Sequence, residues 1–264
     1  MADLHVTLIQ SDISWEDSLK NLGHFGKLID AIPAPTDLIV LPEMFNTGFS
    51  INPRKCAESL DGPAITFLKE KSSAINCMIM ASVLIGEEGS YFNRLICMQP
   101  DGYYHQYDKR HLFRLSNENK IIKGGTEKII VNWKGWNILP LVCYDLRFPV
   151  WSRNTWNEGL YEYDILLYVA NWPGSRSSVW KSLLTARAIE NQCYVVGVNR
   201  IGKDGHGTSH KGNSMINDPY GTILSAAEEE KPAIIQYQLS HQRLREYRET
   251  YPFAADWDQF TIQI

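Results

Sequence analysis

The chain alternates between short apolar runs and segments in which apolar residues recur every three or four positions. A continuous apolar run predicts a β-strand buried on both faces, as in a sheet covered by helices on each side. The predicted strands are residues 4–10, 37–41, 77–85, 91–99, 103–107, 128–133, 136–143, 164–170, 194–199, 213–217, 222–225 and 233–238. Because predicted helices alternate with these strands and hairpins join several of them, the pattern indicates an α/β protein with two sheets between layers of helices.

The first helix is predicted to follow Ser14, whose hydroxyl can cap its N-terminus, and to end before Pro33. Asp17 would lie in the first turn, where the helix dipole favours an acid. The apolar residues at helical spacing, which we expect to form its buried face, are Trp15, Leu19, Leu22, Phe25 and Ile29.

Three further helices are predicted. One spans residues 62–76 and begins at Pro63, and a short one spans residues 149–157. Another ends near Asn191, and its buried face is expected to carry Val179, Leu183, Ala186 and Ile189. Residues 112–126 are polar and contain glycine, which indicates a loop over a site. Since no Pro/Gly/Ser-rich linker and no tandem repeat interrupts the chain, we expect one domain over residues 1–264.

Composition narrows the class of protein. A hydrophobic content of 44% suits a globular core, and a net charge of −4 without a basic block gives no reason to expect a nucleic acid partner. The N-terminus has no signal-peptide pattern, and no apolar run is long enough for a membrane helix. The five cysteines are odd in number and widely spaced, so neither a disulfide framework nor a zinc site is indicated. We therefore expect a cytoplasmic protein with reduced thiols.

Three reactive residues follow predicted strands: Glu43, Lys109 and Cys143. Ligands and catalytic groups of α/β sheets collect at the carboxyl ends of strands, so these side chains could converge. A thiol becomes a nucleophile when a nearby base and a nearby cation favour its thiolate. Each residue also has an ordinary structural explanation, because a cysteine can simply pack at a strand end, a glutamate can cap a helix, and a lysine can be solvated.

Segments around these residues resemble the nitrilase-superfamily carbon–nitrogen hydrolases. The three signature segments are 41–45 (LPEMF), 107–113 (YDKRHLF) and 142–149 (VCYDLRFP), and further matches are residues 169–173, 186–191, 212–214 and 218–221. The resemblance extends over essentially the whole chain in the family's order. It implies a four-layer αββα sandwich with two mixed sheets, which usually dimerises into an αββα–αββα assembly and needs no metal or organic cofactor.

The resemblance also implies roles for individual residues. Glu43 corresponds to the general base, Lys109 to the cation that stabilises the oxyanion, and Cys143 to the nucleophile. Glu118 matches a second glutamate that often lies in the loop after the lysine, although a solvated loop acid is its alternative explanation. The backbone N–H of Tyr144 is expected to be a second oxyanion donor.

Within the superfamily, residues 107–114 and 143–154 are most similar to the omega-amidase branch, which removes ammonia from 2-oxoglutaramate and 2-oxosuccinamate. Such substrates carry a distal carboxylate, and we expect Arg147 to bind it, because a guanidinium is the natural bidentate partner. Alternatively, Arg147 pairs with Asp145 or another acid. Asn171 and Trp172 are expected to line the pocket, and their alternative roles are a strand-end cap and a core aromatic.

Other functions remain open from the sequence. A nitrilase, an N-carbamoyl amino acid hydrolase or another small-metabolite amidase would share the Glu–Lys–Cys set and differ in the pocket. A non-catalytic scaffold would tolerate loss of one of the three residues, and a redox thiol would need a second cysteine nearby. Arg187 and Glu190 are expected to be structural. The spacing of His111, His206 and His210 fits no metal-ligand motif, so we expect them at the surface or in hydrogen bonds.

Overall fold

A computed structural model of the chain describes residues 2–263. Its strands, in chain order, are β1 (Leu4–Gln10), β2 (Leu38–Val40), β3 (Met78–Glu87), β4 (Ser90–Met98), β5 (Tyr104–Asp108), β6 (Val131–Trp133), β7 (Trp136–Val142), β8 (Trp156–Asn157), β9 (Leu160–Tyr161), β10 (Ile165–Ala170), β11 (Tyr194–Asn199), β12 (Ile201–Lys203), β13 (Ser209–Lys211), β14 (Met215–Asn217), β15 (Ile223–Ala226) and β16 (Ala233–Leu239). Its α-helices are α1 (Ser18–Asp30), α2 (Pro53–Cys56), α3 (Pro63–Ile75), α4 (Ser177–Asn191) and α5 (His241–Thr250).

Twelve of the strands form two six-stranded sheets, in the orders β16-β1-β2-β3-β4-β5 and β15-β14-β11-β10-β7-β6. In the first sheet β1, β2 and β3 are parallel neighbours, and in the second β7, β10 and β11 are. The remaining neighbours in both sheets pair antiparallel, so both sheets are mixed. Two small hairpins, β8–β9 and β12–β13, lie outside the two sheets.

The alternation of side chains along the strands assembles the layers. On β2, Leu38 and Val40 pack into the core between the two sheets, whereas Ile39 packs on the opposite face with residues of α1 and α3. Successive side chains of a strand point to opposite faces, so both faces of this strand are buried. Trp180 and Leu184 of α4 pack against the second sheet. The result is the four-layer αββα sandwich that the sequence predicted.

The first helix begins later than predicted. Its N-cap is Asp17, whose carboxylate accepts from the backbone N–H of Lys20, and not Ser14. Leu19 is 78% exposed, so the predicted buried face is wrong at that position. The polar Asn21 is buried instead, because its amide donates to the backbone carbonyls of Ser14 and Asn46 and thereby fastens the helix to the loop after β2.

The buried face of α4 is also rotated relative to the prediction. The helix buries Trp180, Leu184 and Ala188, whereas Ile189 is 49% exposed. The large indole of Trp180 fills the space over the second sheet and donates to the carbonyl of Asn213. The predicted helical spacing was correct, but α4 carries apolar residues on two adjacent faces. The face with Trp180 is the one buried against the sheet.

The helix predicted at 149–157 is absent from the described chain, and residues 156–161 form the β8–β9 hairpin instead. Its two-residue turn places Glu158 at a φ of 49° and Gly159 at a φ of 87°. Two successive positive φ values suit the right-handed twist of a tight hairpin, and glycine adopts one at no steric cost. The sequence also did not indicate α2, α5 and the β12–β13 hairpin.

Candidate active site

Cys143 lies directly after β7, at the start of a short 3-10 helix that spans Cys143–Arg147. Its φ is +43°, a left-handed conformation that is uncommon for a residue with a side chain. Such strained residues persist where surrounding structure holds them, and they cluster at active sites. The guanidinium of Arg187 on α4 donates to the carbonyl of Leu146 at 2.6 Å and so holds this turn against the helix.

Glu43 lies just beyond β2, and its buried carboxylate is held by three donors. Lys109 Nζ and Asn93 Nδ2 donate to Oε1 at 3.0 and 2.8 Å, and the backbone N–H of Asn171 donates to Oε2 at 2.8 Å. Lys109 and Asn171 lie just beyond β5 and β10, and Asn93 lies inside β4, so groups from three strands meet at this carboxylate. Asn93 was not foreseen, because an asparagine inside an apolar strand carries no recognisable motif.

Lys109 lies between two carboxylates. Its ammonium group is 3.0 Å from Glu43 Oε1 and 3.0 Å from both carboxylate oxygens of Glu118, and it lies 4.9 Å from the ring centre of Phe49. Burial opposes the charge, but the carboxylates of Glu118 and Glu43 outweigh it and raise the pKa of Lys109. The lysine is therefore a fixed cation at neutral pH.

Glu118 is fully buried, so the alternative explanation of a solvated loop acid is wrong. Besides Lys109, its carboxylate accepts from the backbone N–H of Phe113 at 2.5 Å. Burial raises the pKa of Glu118, and the charge of Lys109 acts in the opposite direction. The glutamate therefore ties the loop at 112–126 to the lysine.

The thiol of Cys143 is buried beside Glu43 and Lys109. Burial and the neighbouring carboxylate of Glu43 raise the pKa of Cys143 well above the usual value of 9.0, and the charge of Lys109 opposes this only partly. Burial therefore favours the neutral thiol over the thiolate. Since Glu43 is a direct neighbour of the sulfur, it is placed to accept the thiol proton.

Two residues after Cys143, Tyr144 and Arg147, contact aromatic rings at the site. The ring of Tyr144 packs edge-on against Phe113 and Phe148, each with ring centres 5.1 Å apart. Its backbone N–H lies in the first turn of the 3-10 helix, where such groups have no partner within the helix. The guanidinium of Arg147 lies 5.2 Å from the ring centre of Trp172.

Asp145 does not pair with Arg147, so that alternative is wrong. Its buried carboxylate accepts from the Tyr107 hydroxyl at 2.8 Å and from the backbone N–H of Val142 at 3.1 Å. It also accepts two hydrogen bonds from His111, one from the backbone N–H at 2.9 Å and one from Nδ1 at 2.8 Å. Asp145 thereby joins the end of β5, the segment after Lys109 and the end of β7. It fixes the strand ends that carry the lysine and the cysteine.

Asn171 and Trp172 follow β10 and have structural contacts as well as places in the pocket wall. The side-chain amide of Asn171 donates to the carbonyl of Glu43, and the backbone N–H of Trp172 donates to Asn199 Oδ1 at 2.7 Å. Both residues line a cavity of about 370 Å³. The cavity brings together all but one of the predicted site residues: Glu43, Lys109, Cys143, Tyr144, Arg147, Asn171 and Trp172. Glu118 lies behind Lys109.

One wall of the cavity was not predicted. The β12–β13 hairpin contributes Asp204, His206, Thr208 and His210, and Arg176 comes from the turn before α4. His206 is exposed, whereas His210 is buried, and its Nδ1 has no hydrogen-bond partner among residues 2–263. Burial and the charge of Arg200 lower the pKa of His210 to about 4, so this imidazole is neutral at physiological pH.

Metal-ligand geometry does not occur in the described part of the chain: no group of three or more His, Cys, Asp or Glu side chains among residues 2–263 is arranged to hold an ion. Across the same residues no helix is long and apolar enough to span a membrane.

Arg187 forms an ion pair with Glu190 at 3.0 Å, in agreement with the structural role predicted for both.

Comparisons with known proteins identify the family. The carbon–nitrogen hydrolase family model matches residues 5–249. The omega-amidase YafV of Escherichia coli K12 is 45% identical over 262 residues, which cover 99% of this chain and 100% of that protein. The 2-oxoglutaramate amidase of Bacillus subtilis is 32% identical over 95% of this chain and 96% of that protein. The crystal structure of XC1258 from Xanthomonas campestris, a CN-hydrolase superfamily protein with an arsenic adduct in its active site, superposes with a TM-score of 0.97 at 39% identity over 100% of both chains. The chain therefore belongs to the carbon–nitrogen hydrolase family and is a hydrolase of the nitrilase superfamily.

Proposed function

We propose that this protein is an omega-amidase, which releases ammonia from the ω-amides of 2-oxo dicarboxylic acids such as 2-oxoglutaramate and 2-oxosuccinamate. The observation that carries the proposal is the contact cluster of Glu43, Lys109 and Cys143 at a cavity that also contains an arginine, Arg147. The similarity to an omega-amidase and to a 2-oxoglutaramate amidase supports the same substrate class.

The first half of the reaction forms a thioester. Glu43 removes the thiol proton of Cys143 as the sulfur attacks the amide carbon, so that the carbonyl oxygen becomes an oxyanion. Lys109 and the backbone N–H of Tyr144 stabilise this oxyanion, and one such donor contributes roughly 2.7–4 kcal/mol in the transition state. Glu43 then returns the proton to the nitrogen as the C–N bond breaks and ammonia leaves.

The second half hydrolyses the thioester. Glu43, again ionised, removes a proton from water as the oxygen attacks the acyl carbon, and the departing sulfur of Cys143 takes that proton back. In this scheme Glu118 keeps Lys109 in place, because it accepts from the ammonium group with both oxygens. All steps use side chains, one backbone N–H and water, so the proposed reaction requires no metal or organic cofactor.

Kinetics with three substrates test this proposal. We expect kcat/KM for 2-oxoglutaramate to exceed that for an aliphatic nitrile and for an N-carbamoyl amino acid by about a hundredfold or more, because the anionic end and the amide must both match the site. A higher kcat/KM for the nitrile or the carbamoyl compound would reassign the substrate class and leave the Glu–Lys–Cys chemistry in place.

We also propose that the protein is a homodimer. Supporting this, exposed apolar residues surround a surface depression of about 600 Å³: Val150, Ile189, Phe253 and Phe260. Apolar patches of this kind mark association sites. Ile189→Lys is expected to give monomers in light scattering, whereas Leu19→Lys, which alters a still more exposed leucine on α1, should leave the dimer intact. Dimers in both variants would place the interface elsewhere.

A cytoplasmic location and a single catalytic domain complete the proposal. All five cysteines are free, which suits a reducing compartment, and the largest apolar cluster contains side chains from both sheets. Fractionation of cells with an antibody against the protein tests the location, because the protein should remain with the soluble fraction. A single unfolding transition in calorimetry is expected for one domain.

A further inference from the structure

Arg176 lines the cavity from the turn before α4, a segment separate from the one that carries the nucleophile. It ends the short 3-10 turn Gly174–Arg176, and its main chain is fully used there: the N–H donates to the carbonyl of Pro173 at 3.0 Å, and the carbonyl accepts from Trp172 Nε1 at 2.9 Å. These two hydrogen bonds hold the backbone of Arg176 in place, and the guanidinium takes no part in either of them.

Both cavity arginines, Arg147 and Arg176, lack a carboxylate partner among residues 2–263. Another acid in the cavity wall, Asp204, accepts with one oxygen from the backbone N–H groups of His206 and Thr208, at 2.9 Å each. Lys109 is already paired with the carboxylates of Glu43 and Glu118. The guanidiniums of Arg147 and Arg176 are therefore cationic groups of the cavity wall without a carboxylate partner among residues 2–263, and they can pair with an anionic ligand.

An aromatic ring orients each guanidinium. Arg147 lies 5.2 Å from the ring centre of Trp172, and Arg176 lies 5.2 Å from that of Phe113. Stacking on a ring occupies the face of the guanidinium and leaves its N–H edge free to donate. An arginine held in this way presents a fixed pair of donors and loses little side-chain entropy when an anion binds.

The two arginines differ in exposure. Arg147 is exposed, whereas Arg176 is half-buried. Water and salt screen the charge of an exposed group more strongly, so the same anion gains more from the half-buried one. Arg176 is therefore at least as strong a determinant of anion binding as the arginine next to the nucleophile segment.

We propose that Arg176 is a second substrate-specificity residue, which binds the 2-oxo-carboxylate end of the substrate together with Arg147. The carboxylate and the adjacent keto oxygen offer three acceptor oxygens, whereas one edge of a planar guanidinium presents two parallel donors. The proposal rests on the omega-amidase function for the identity of the substrate. Selection of anionic over neutral amides is a separate consequence of the same two charges.

Three amides that share a five-carbon chain test the proposal: 2-oxoglutaramate, glutaramate, which lacks the keto oxygen, and pentanamide, which lacks the anionic end as well. We expect Arg176→Gln to raise KM for 2-oxoglutaramate by about tenfold to a hundredfold, the usual effect of losing a charge-assisted hydrogen bond, with kcat changed by less than about threefold. KM for pentanamide should not change. Arg176→Lys, which keeps the charge and loses the fork, should show an intermediate rise.

Matched variants separate binding from a general effect of charge or folding. Arg245→Gln removes one exposed positive charge on α5 and should leave all three KM values unchanged. Arg147→Gln should raise KM for 2-oxoglutaramate no more than Arg176→Gln does. An equal loss of kcat/KM on all three amides in Arg176→Gln, or an unchanged KM for both anionic amides, would overturn the proposal.

Product binding gives a readout that does not depend on turnover. In the inactive Cys143→Ala protein, 2-oxoglutarate should raise the melting temperature, and Arg176→Gln in that background should abolish most of the shift. An undiminished shift contradicts the role of Arg176. If the wild type prefers another anionic amide over 2-oxoglutaramate, and Arg176→Gln still weakens that amide selectively, the omega-amidase assignment fails while the anion-binding role of Arg176 stands.

Discussion

Lys109 Nζ and Glu43 Oε1 lie 3.0 Å apart, although the two residues are 66 positions apart in the chain. Both side chains are almost completely buried, at 1% exposure each. A buried ion pair of this kind costs desolvation of both groups, and removal of one partner leaves an uncompensated charge worth about 3–5 kcal/mol. Its position beside the Cys143 thiol explains why such a costly arrangement is retained.

Cys143→Ala should abolish amide hydrolysis. Loss of the nucleophile from such a cooperating set is expected to lower kcat by at least about a thousandfold, because the remaining groups cannot form the thioester. Ammonia release from 2-oxoglutaramate measures this. Cys56→Ala, which removes a buried thiol from a separate cluster, is the control and should keep wild-type kcat. Equal activity in both variants would exclude the thioester mechanism.

Glu118→Gln and Glu118→Ala should differ. Glutamine keeps an acceptor for Lys109 but loses the charge, so we expect a fall in kcat of about tenfold to a hundredfold with little loss of stability. Alanine leaves the ammonium group and the Phe113 N–H with one partner fewer, which should lower the free energy of unfolding by about 1–3 kcal/mol or more. Urea unfolding and kcat, measured on both, check this. Wild-type kcat in both variants would show that Glu118 has no role in the reaction.

Asp145→Ala should destabilise the protein and also impair catalysis. The buried carboxylate accepts from Tyr107, His111 and Val142, and its loss should cost about 3–5 kcal/mol, because several buried donors lose their partner. Asp30→Ala is the control, since its ion pair with Lys71 is largely exposed and should contribute less than about 1 kcal/mol. Urea unfolding measures both, and similar losses in the two variants would contradict the network.

Stability should fall at alkaline pH. Burial raises the pKa of Cys77 from 9.0 to about 12. Above pH 9 the unfolded chain loses this proton while the folded protein keeps it, so the free energy of unfolding decreases between pH 9 and about 12, by up to about 1.4 kcal/mol per pH unit. The Cys77→Ala protein lacks this pH-dependent loss. The difference between its free energy of unfolding and that of the wild type should therefore shrink as the pH rises from 8 to 10.5. Parallel curves in urea unfolding would contradict the prediction.

Most strands and the three reactive residues were predictable because their signals are local. Apolar runs produced ten of the strands nearly at their observed bounds, and Glu43, Lys109 and Cys143 stand where strands end. The helix at 149–157 was wrong because the turn at Glu158 and Gly159 closes a hairpin there. Ile189 was assigned to a buried face because helical spacing does not distinguish between two adjacent apolar faces of α4, and Leu19 because it does not show that the polar Asn21 is buried in α1 instead.

The sequence by itself determined the alternation of elements, the family and the chemical identity of the groups that meet at Cys143. Only the tertiary structure decided that Glu118 is buried against Lys109, that Asp145 is engaged by Tyr107 and His111 and not by Arg147, and that Arg176 enters the cavity. The physical reason is that burial and pairing depend on competition among segments distant in the chain. Periodicity and motifs show only which apolar and polar groups each segment carries, and not which groups from other segments they will contact.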